Sequence, residues 1–173
     1  MSKKIIIKGK KSFNAFNNIK NPKRNSVEKW KHVKELSNEN INNQIKMLNM
    51  LYLNQEYQGK QFVKREVERK INSYKNQDKR KHIFVESIFI TYNEVLEKLV
   101  ISKLKCYYSK GNCLLMFSNY REKTQWTLDR IDNDVGHSKD NTVICCLECN
   151  LKKGTMDDEK FKFTKQLKII KKY

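Results

Sequence analysis

Trp126-Thr-Leu-Asp-Arg-Ile-Asp-Asn-Asp-Val-Gly-His-Ser-Lys-Asp-Asn-Thr-Val-Ile-Cys-Cys-Leu-Glu-Cys-Asn-Leu-Lys-Lys-Gly154 is the stretch that decides the fold. Across Gln125–Ile131, Trp126, Leu128 and Arg130 alternate with Thr127, Asp129 and Ile131, the two-residue period of a strand. Asn133-Asp-Val-Gly136 carries turn chemistry, and Thr142-Val-Ile-Cys145 reads as the returning strand. Leu147–Lys153 reads as a short helix stopped at Gly154. In this order of strand, strand and helix, Asn150 comes back towards the first strand and faces Asp129.

The cysteines add a constraint of their own. Cys146 and Cys149 enclose two residues, the spacing at which one tight turn aims two thiolates at a single tetrahedral zinc. The remaining ligands must come from upstream, where Cys106 and Cys113 precede the hairpin and Ser109 stands where a Cys-x-x-Cys pair places its second thiol. Cys113 serves as fourth ligand through a longer loop closed by Gly111; the alternative is a metal-free hydrophobic knuckle. Zinc is the expectation, because a small hairpin with little core takes much of its folding energy from such a staple. Cys145 points to the opposite face of its strand and reads as a buried free thiol.

Together these residues resemble the HNH family of nucleases, whose ββα-metal unit runs from Asp-His or Asp-Arg through a glycine turn and an Asn to Cys-x-x-Cys-Asn. Within that family the chain looks most like the branch written Leu-Asp-Arg-Ile-Asp-Asn, found in phages and large DNA viruses, and its split cysteines resemble the zinc-stapled resolvases of the endonuclease VII type. The resemblance covers residues 106–154, weakens to 173 and is absent before about Lys103. It implies a metal-dependent DNA endonuclease that leaves 5′-phosphate and 3′-hydroxyl ends.

The same resemblance assigns roles. Asp129 and Asn150 match the positions that hold one divalent ion, magnesium or manganese, for which oxygen ligands are suited. Asn141 matches the middle Asn, which orients the base or braces the hairpin. Where the family usually has its general base, this chain has Arg130, which cannot accept a proton but can clamp a scissile phosphate. The base then falls to His137 or Asp132, and His137 is preferred because its reference pKa suits proton abstraction near neutrality. The plainer reading makes Asp132, Asn133 and Gly136 turn residues and His137 a cap on that turn. The rival function is a non-catalytic, zinc-stabilised DNA-binding or structural protein that keeps the fold.

Composition narrows the partner. Lys and Arg total 37 against 19 acids in 173 residues, a net charge of +18, and this points to a polyanion, with DNA the default. No apolar run is long enough to span a bilayer, and Met1-Ser-Lys-Lys lacks the apolar core of a signal peptide, so an intracellular, reducing compartment is expected.

The expected architecture is α+β in three parts: a basic arm over residues 1–24, a helical basic region over 25–104, and the HNH domain with a C-terminal helix over 105–173. Val27, Trp30 and Val33, then Ile41, Ile45, Leu48 and Tyr52, mark two helices around a break at Ser37–Asn40. Val63, Val67, Ile71 and Tyr74 form an apolar stripe on a strongly basic helix, which lies along DNA or packs on its neighbours. The polar run Asn76–His82 suggests a boundary near residues 76–91. Thr91-Tyr-Asn-Glu94 has the form of a capping box, predicting a helix from about Tyr92 to Leu104 that buries Val95, Leu96, Leu99 and Val100. A last helix from Asp157 is expected to present Phe163, Leu167 and Ile170 on one face. His32 and His82 read as surface or packing residues, and Tyr107, Tyr108 and Tyr120 as packing residues of the core or knuckle.

Overall fold

The computed structural model describes residues 9, 40–117 and 121–167. The basic arm apart from Gly9, the helix expected from Ser26, His32, Tyr120 and Ile170 lie outside the described residues. The architecture is α+β. Helices α1 (Ile41–Tyr52), α2 (Lys60–Arg80) and α3 (Tyr92–Ser102) precede strands β1 (Trp126–Arg130) and β2 (Thr142–Cys146) and helices α4 (Leu147–Lys153) and α5 (Asp158–Gln166). The two strands pair antiparallel, with Leu128 opposite Ile144 and Asp129 opposite Val143.

Local chemistry explains the helix ends. Asn40 caps α1 by accepting the Asn42 amide. The Thr91–Glu94 box forms in full at α3, where the hydrogen bond from the Thr91 amide holds the Glu94 carboxyl below its usual range. Helix α3 ends at Ser102, before the expected Leu104, because Lys103 and Leu104 both take left-handed backbone, at φ 50° and 53°. Two such residues in succession cost roughly 1–2 kcal/mol each. What they secure is a tight reversal in which the Cys113 amide bonds the Leu104 carbonyl at 2.7 Å and the Cys106 amide bonds the Gly111 carbonyl at 2.8 Å. Val95, Leu96 and Leu99 are buried as expected, whereas Val100 is only partly covered.

Helix α2 runs through the polar stretch 76–80, and its Val63, Val67 and Ile71 are buried against the rest of the core. Two polar side chains tie this helical region to the hairpin half. Gln44 of α1, fully buried, accepts the Leu115 and Met116 amides at 2.7 and 3.1 Å and donates to the Met116 carbonyl at 3.2 Å. Lys70 of α2 donates to Gln125 Oε1 at 3.0 Å and to the Trp126 carbonyl, with its ammonium 4.6 Å from the centre of the Trp126 ring. Burial pushes that ammonium down to about 7.

In β1 all five residues are buried, so the in-out alternation read from the sequence does not hold. The strand is covered on both sides. The Tyr74 hydroxyl of α2 accepts the Leu128 amide, and Asn150 of α4 donates to Thr127 and to the Leu128 carbonyl. The last helix is also turned from its expected face: Phe161 is buried, edge-on to Tyr108, while Phe163 and Leu167 are 67% and 53% exposed. Asp157 caps α5 through the Lys160 amide, and the resulting start places Phe161, not Phe163, over the knuckle.

Gln44→Ala strands two buried amides and a carbonyl and is expected to destabilise the fold by about 2–4 kcal/mol. A fall in the urea midpoint with unchanged slope checks it.

Candidate active site

The knuckle over residues 105–113 docks on β2 through the Tyr107 amide, which bonds the Ile144 carbonyl at 2.8 Å. This contact carries Cys106 to the end of β2, where Cys146 closes the strand and Cys149 lies in the first turn of α4. The sulphurs of Cys106, Cys146 and Cys149 all lie within 4.8 Å of one another, and all three residues are buried. Such a cluster fits a metal ion such as zinc.

Cys113 is buried but is not a member of that mutual group. Its thiol is coupled electrostatically to that of Cys106. The Cys106 thiol is held low by hydrogen bonds, first from Cys113 and then from Cys146, while the same bond pushes Cys113 up. The Ser109 amide reaches Cys106 Sγ at 3.5 Å. Serine thus occupies the second position of the upstream pair as a hydrogen-bond partner of the cluster. Cys145 is buried on the other face, with its sulphur 3.2 Å from the Thr127 hydroxyl.

The second site is a cavity of about 420 Å³ whose lining includes Asp129, Arg130, His137 and Asn150, together with Tyr74 and Gln77 of α2 and Lys81 just beyond it. Asp129 and Arg130 arrive from β1, Asn150 from α4 and His137 from the loop between the strands. The nitrogen of Asn150 is held by β1, at 3.1 Å from Thr127 Oγ1.

Asp129 is only 5% exposed, and Tyr108 and Lys153 both reach it. The Tyr108 hydroxyl donates to its Oδ2 at 2.6 Å, and the Lys153 ammonium stands 3.4 Å from the same oxygen while donating to the Arg130 carbonyl at 2.8 Å. Burial raises the Asp129 carboxyl above its usual range, against the opposing pull of Tyr108 and Lys153. Neither partner was read from the sequence as a site residue.

Arg130 turns its guanidinium to the loop, donating to the Asn133 and Val135 carbonyls at 3.1 and 3.5 Å, and lies 3.9 Å from Asp78 Oδ1. His137 is 2% exposed, and burial lowers its ring below the ordinary value while Asp78 pulls the other way. Asn141 braces the loop: its amide nitrogen donates to the Asp132, Val135 and Gly136 carbonyls and its oxygen accepts the Asp132 amide at 2.8 Å. Asp132 itself is exposed, caps the Asp134 amide at 2.9 Å and does not line the cavity. It behaves as a turn residue. Of the predicted site residues, the structure therefore brings together Asp129, Arg130, His137 and Asn150, and it leaves Asn141 as scaffold.

Comparison of the chain with protein-family models, with curated proteins and with solved structures finds no match.

For the thiol cluster, purified protein is expected to carry about one zinc per chain. Cys106→Ser or Cys149→Ser should empty the site. Cys113→Ser should keep the metal with affinity lowered about 10–100-fold, as for loss of a hydrogen bond to a ligand. Elemental analysis and competition with a chromogenic chelator measure both.

Proposed function

We propose that this chain is a metal-dependent DNA endonuclease of the HNH type. The observation that carries the reading is the convergence of Asp129, Arg130, His137 and Asn150 on one cavity. An oxygen-bearing acid and amide, a guanidinium and an imidazole are the groups that phosphodiester hydrolysis needs side by side.

In this reading Asp129 and Asn150 hold a magnesium or manganese ion, which when bound polarises the phosphodiester and stabilises the leaving 3′ oxygen. His137 takes a proton from the attacking water. Arg130 presents charge to the scissile phosphate from a guanidinium already fixed by the loop carbonyls, so little ordering is left to be done on binding. Zinc on Cys106, Cys146 and Cys149 locks the knuckle and α4 against β2, and so positions Asn150. The net charge of +18 supplies the non-specific attraction to DNA. Among the described residues no helix is long and apolar enough to cross a membrane. Five free cysteines suit a reducing, intracellular compartment.

A second reading has its own observation. The Lys153 ammonium 3.4 Å from Asp129 occupies the neighbourhood a divalent ion would need, which favours a non-catalytic, zinc-stabilised DNA-binding protein that keeps the fold. Cleavage separates the two.

Supercoiled plasmid is expected to be nicked with magnesium or manganese and spared with calcium or chelator. Asp129→Ala should lower the rate about 100-fold or more while DNA binding, read by gel shift, stays near wild type. Binding without metal-dependent cleavage of supercoiled, branched or single-stranded DNA gives the second reading.

A further inference from the structure

Asp78 lies near the end of α2, far outside the hairpin motif, yet it is the most enclosed charged group of the described residues, with no exposed surface. Both of its oxygens meet His137, and Oδ1 also lies 3.9 Å from the Arg130 guanidinium. Oδ2 accepts the backbone amide of His137 at 2.7 Å, and Oδ1 stands 2.7 Å from His137 Nδ1. The approach requires Gly136 next door, where a Cβ would sit 2.6 Å from the Ile83 carbonyl and 3.1 Å from Asp78 Oδ2. The loop is held from its other side as well: the Ile90 amide bonds the His137 carbonyl at 2.9 Å, and the Tyr74 ring lies 4.8 Å from the imidazole.

We propose that Asp78 is a positioning residue that fixes His137 in the tautomer protonated on Nδ1, leaving Nε2 as the proton acceptor on the cavity side. A carboxylate only accepts, so the ring nitrogen facing Oδ1 must carry the proton. Nε2 has no hydrogen-bond partner among the described residues, and His137 lines the cavity that holds Asp129 and Asn150. A contact that merely tied α2 to the loop would need one oxygen on the backbone amide, and the second oxygen stands closer to the imidazole, at 2.7 Å, than to Arg130, at 3.9 Å. The second oxygen, aimed at the ring, sets its chemistry. The inference rests on the nuclease reading for its catalytic consequence and on geometry alone for the tautomer.

Asp78→Asn is the informative variant, because the His137 backbone N–H is a donor that cannot change. The new amide oxygen must face it, and the amide NH2 is then left facing Nδ1. That nitrogen can meet an NH2 only as an acceptor, so the proton moves to Nε2 and the base is lost with both hydrogen bonds to His137 kept. Long-range proton–nitrogen NMR of the full chain labelled with nitrogen-15 histidine reads the tautomer, with His137→Gln used to assign the signal among the three histidines. At about pH 8 the wild-type ring is expected as the Nδ1–H form and the Asp78→Asn ring as the Nε2–H form. Plasmid nicking should fall on the order of 10²–10⁴-fold in the variant, the usual worth of a general base.

A wild-type ring already protonated on Nε2 overturns the proposal without any variant, which covers the case in which Asp78→Asn does not fold. An unchanged tautomer, or an inverted tautomer with an unchanged nicking rate, also overturns it. If the tautomer inverts as expected but the wild-type protein never cuts, the assignment of Asp78 stands and the nuclease reading is what fails.

Discussion

Everything in the hairpin half depends on burying a strand that carries charge. Asp129 and Arg130 sit at the end of β1, each 5% exposed, and a short two-stranded sheet has no interior of its own to hide them in. Leaving either charge unpaired in such a place costs several kcal/mol. The fold answers by bringing a partner from each side. Lys153 and Tyr108 come to Asp129 from α4 and the knuckle, and Asp78 comes to the Arg130–His137 side from α2. The helical region is therefore part of the electrostatic closure of the hairpin as well as its apolar cover.

The thiol cluster works on the same strand from the other end. Cys106, Cys146 and Cys149 join the knuckle, the end of β2 and the first turn of α4, so a metal there would fix the three segments that place Tyr108, Asn150 and Lys153 around Asp129. A sheet of two strands is marginal on its own. Binding energy at the cluster becomes folding energy for the cavity wall, which is why zinc content and the geometry of Asp129 are physically one question.

The parts legible in the sequence are those with a local signature. The alternation over Gln125–Ile131 marked where β1 lies although its burial does not alternate, the run Thr142–Cys145 marked β2, the glycine after Lys153 marked the end of α4, and the Thr91–Glu94 box marked the start of α3. Buried polar residues carried no such mark. Asp78 falls in the run Asn76–His82, which reads as solvent-facing because its neighbours are lysine, arginine and amides, and nothing in a local window shows that a loop near residue 137 folds back on it. Lys70, Gln44 and Lys153 were hidden for the same reason: each pairs with backbone or side chains far along the chain. Phe161 and Phe163 show a narrower limit. With aromatics two residues apart on a short basic helix, either gives a helical stripe, and the choice is made by docking against Tyr108.

The arrangement at Asp129 sets two demands against each other. As a folded-state charge it is satisfied by Tyr108 and Lys153, and the ammonium 3.4 Å away contributes to holding the strand end in place. As a ligand for a divalent ion it must offer an oxygen where a positive charge is tolerated. Tyr108 and Lys153 both meet Oδ2, so the second oxygen, Oδ1, is the one through which an ion can be held without dismantling the strand's own pairing. Lys153 is also fixed by the Arg130 carbonyl at 2.8 Å, which keeps its charge on the strand side of the carboxylate. Any ion held at Asp129 would therefore have to share the carboxylate with a lysine that belongs to the fold.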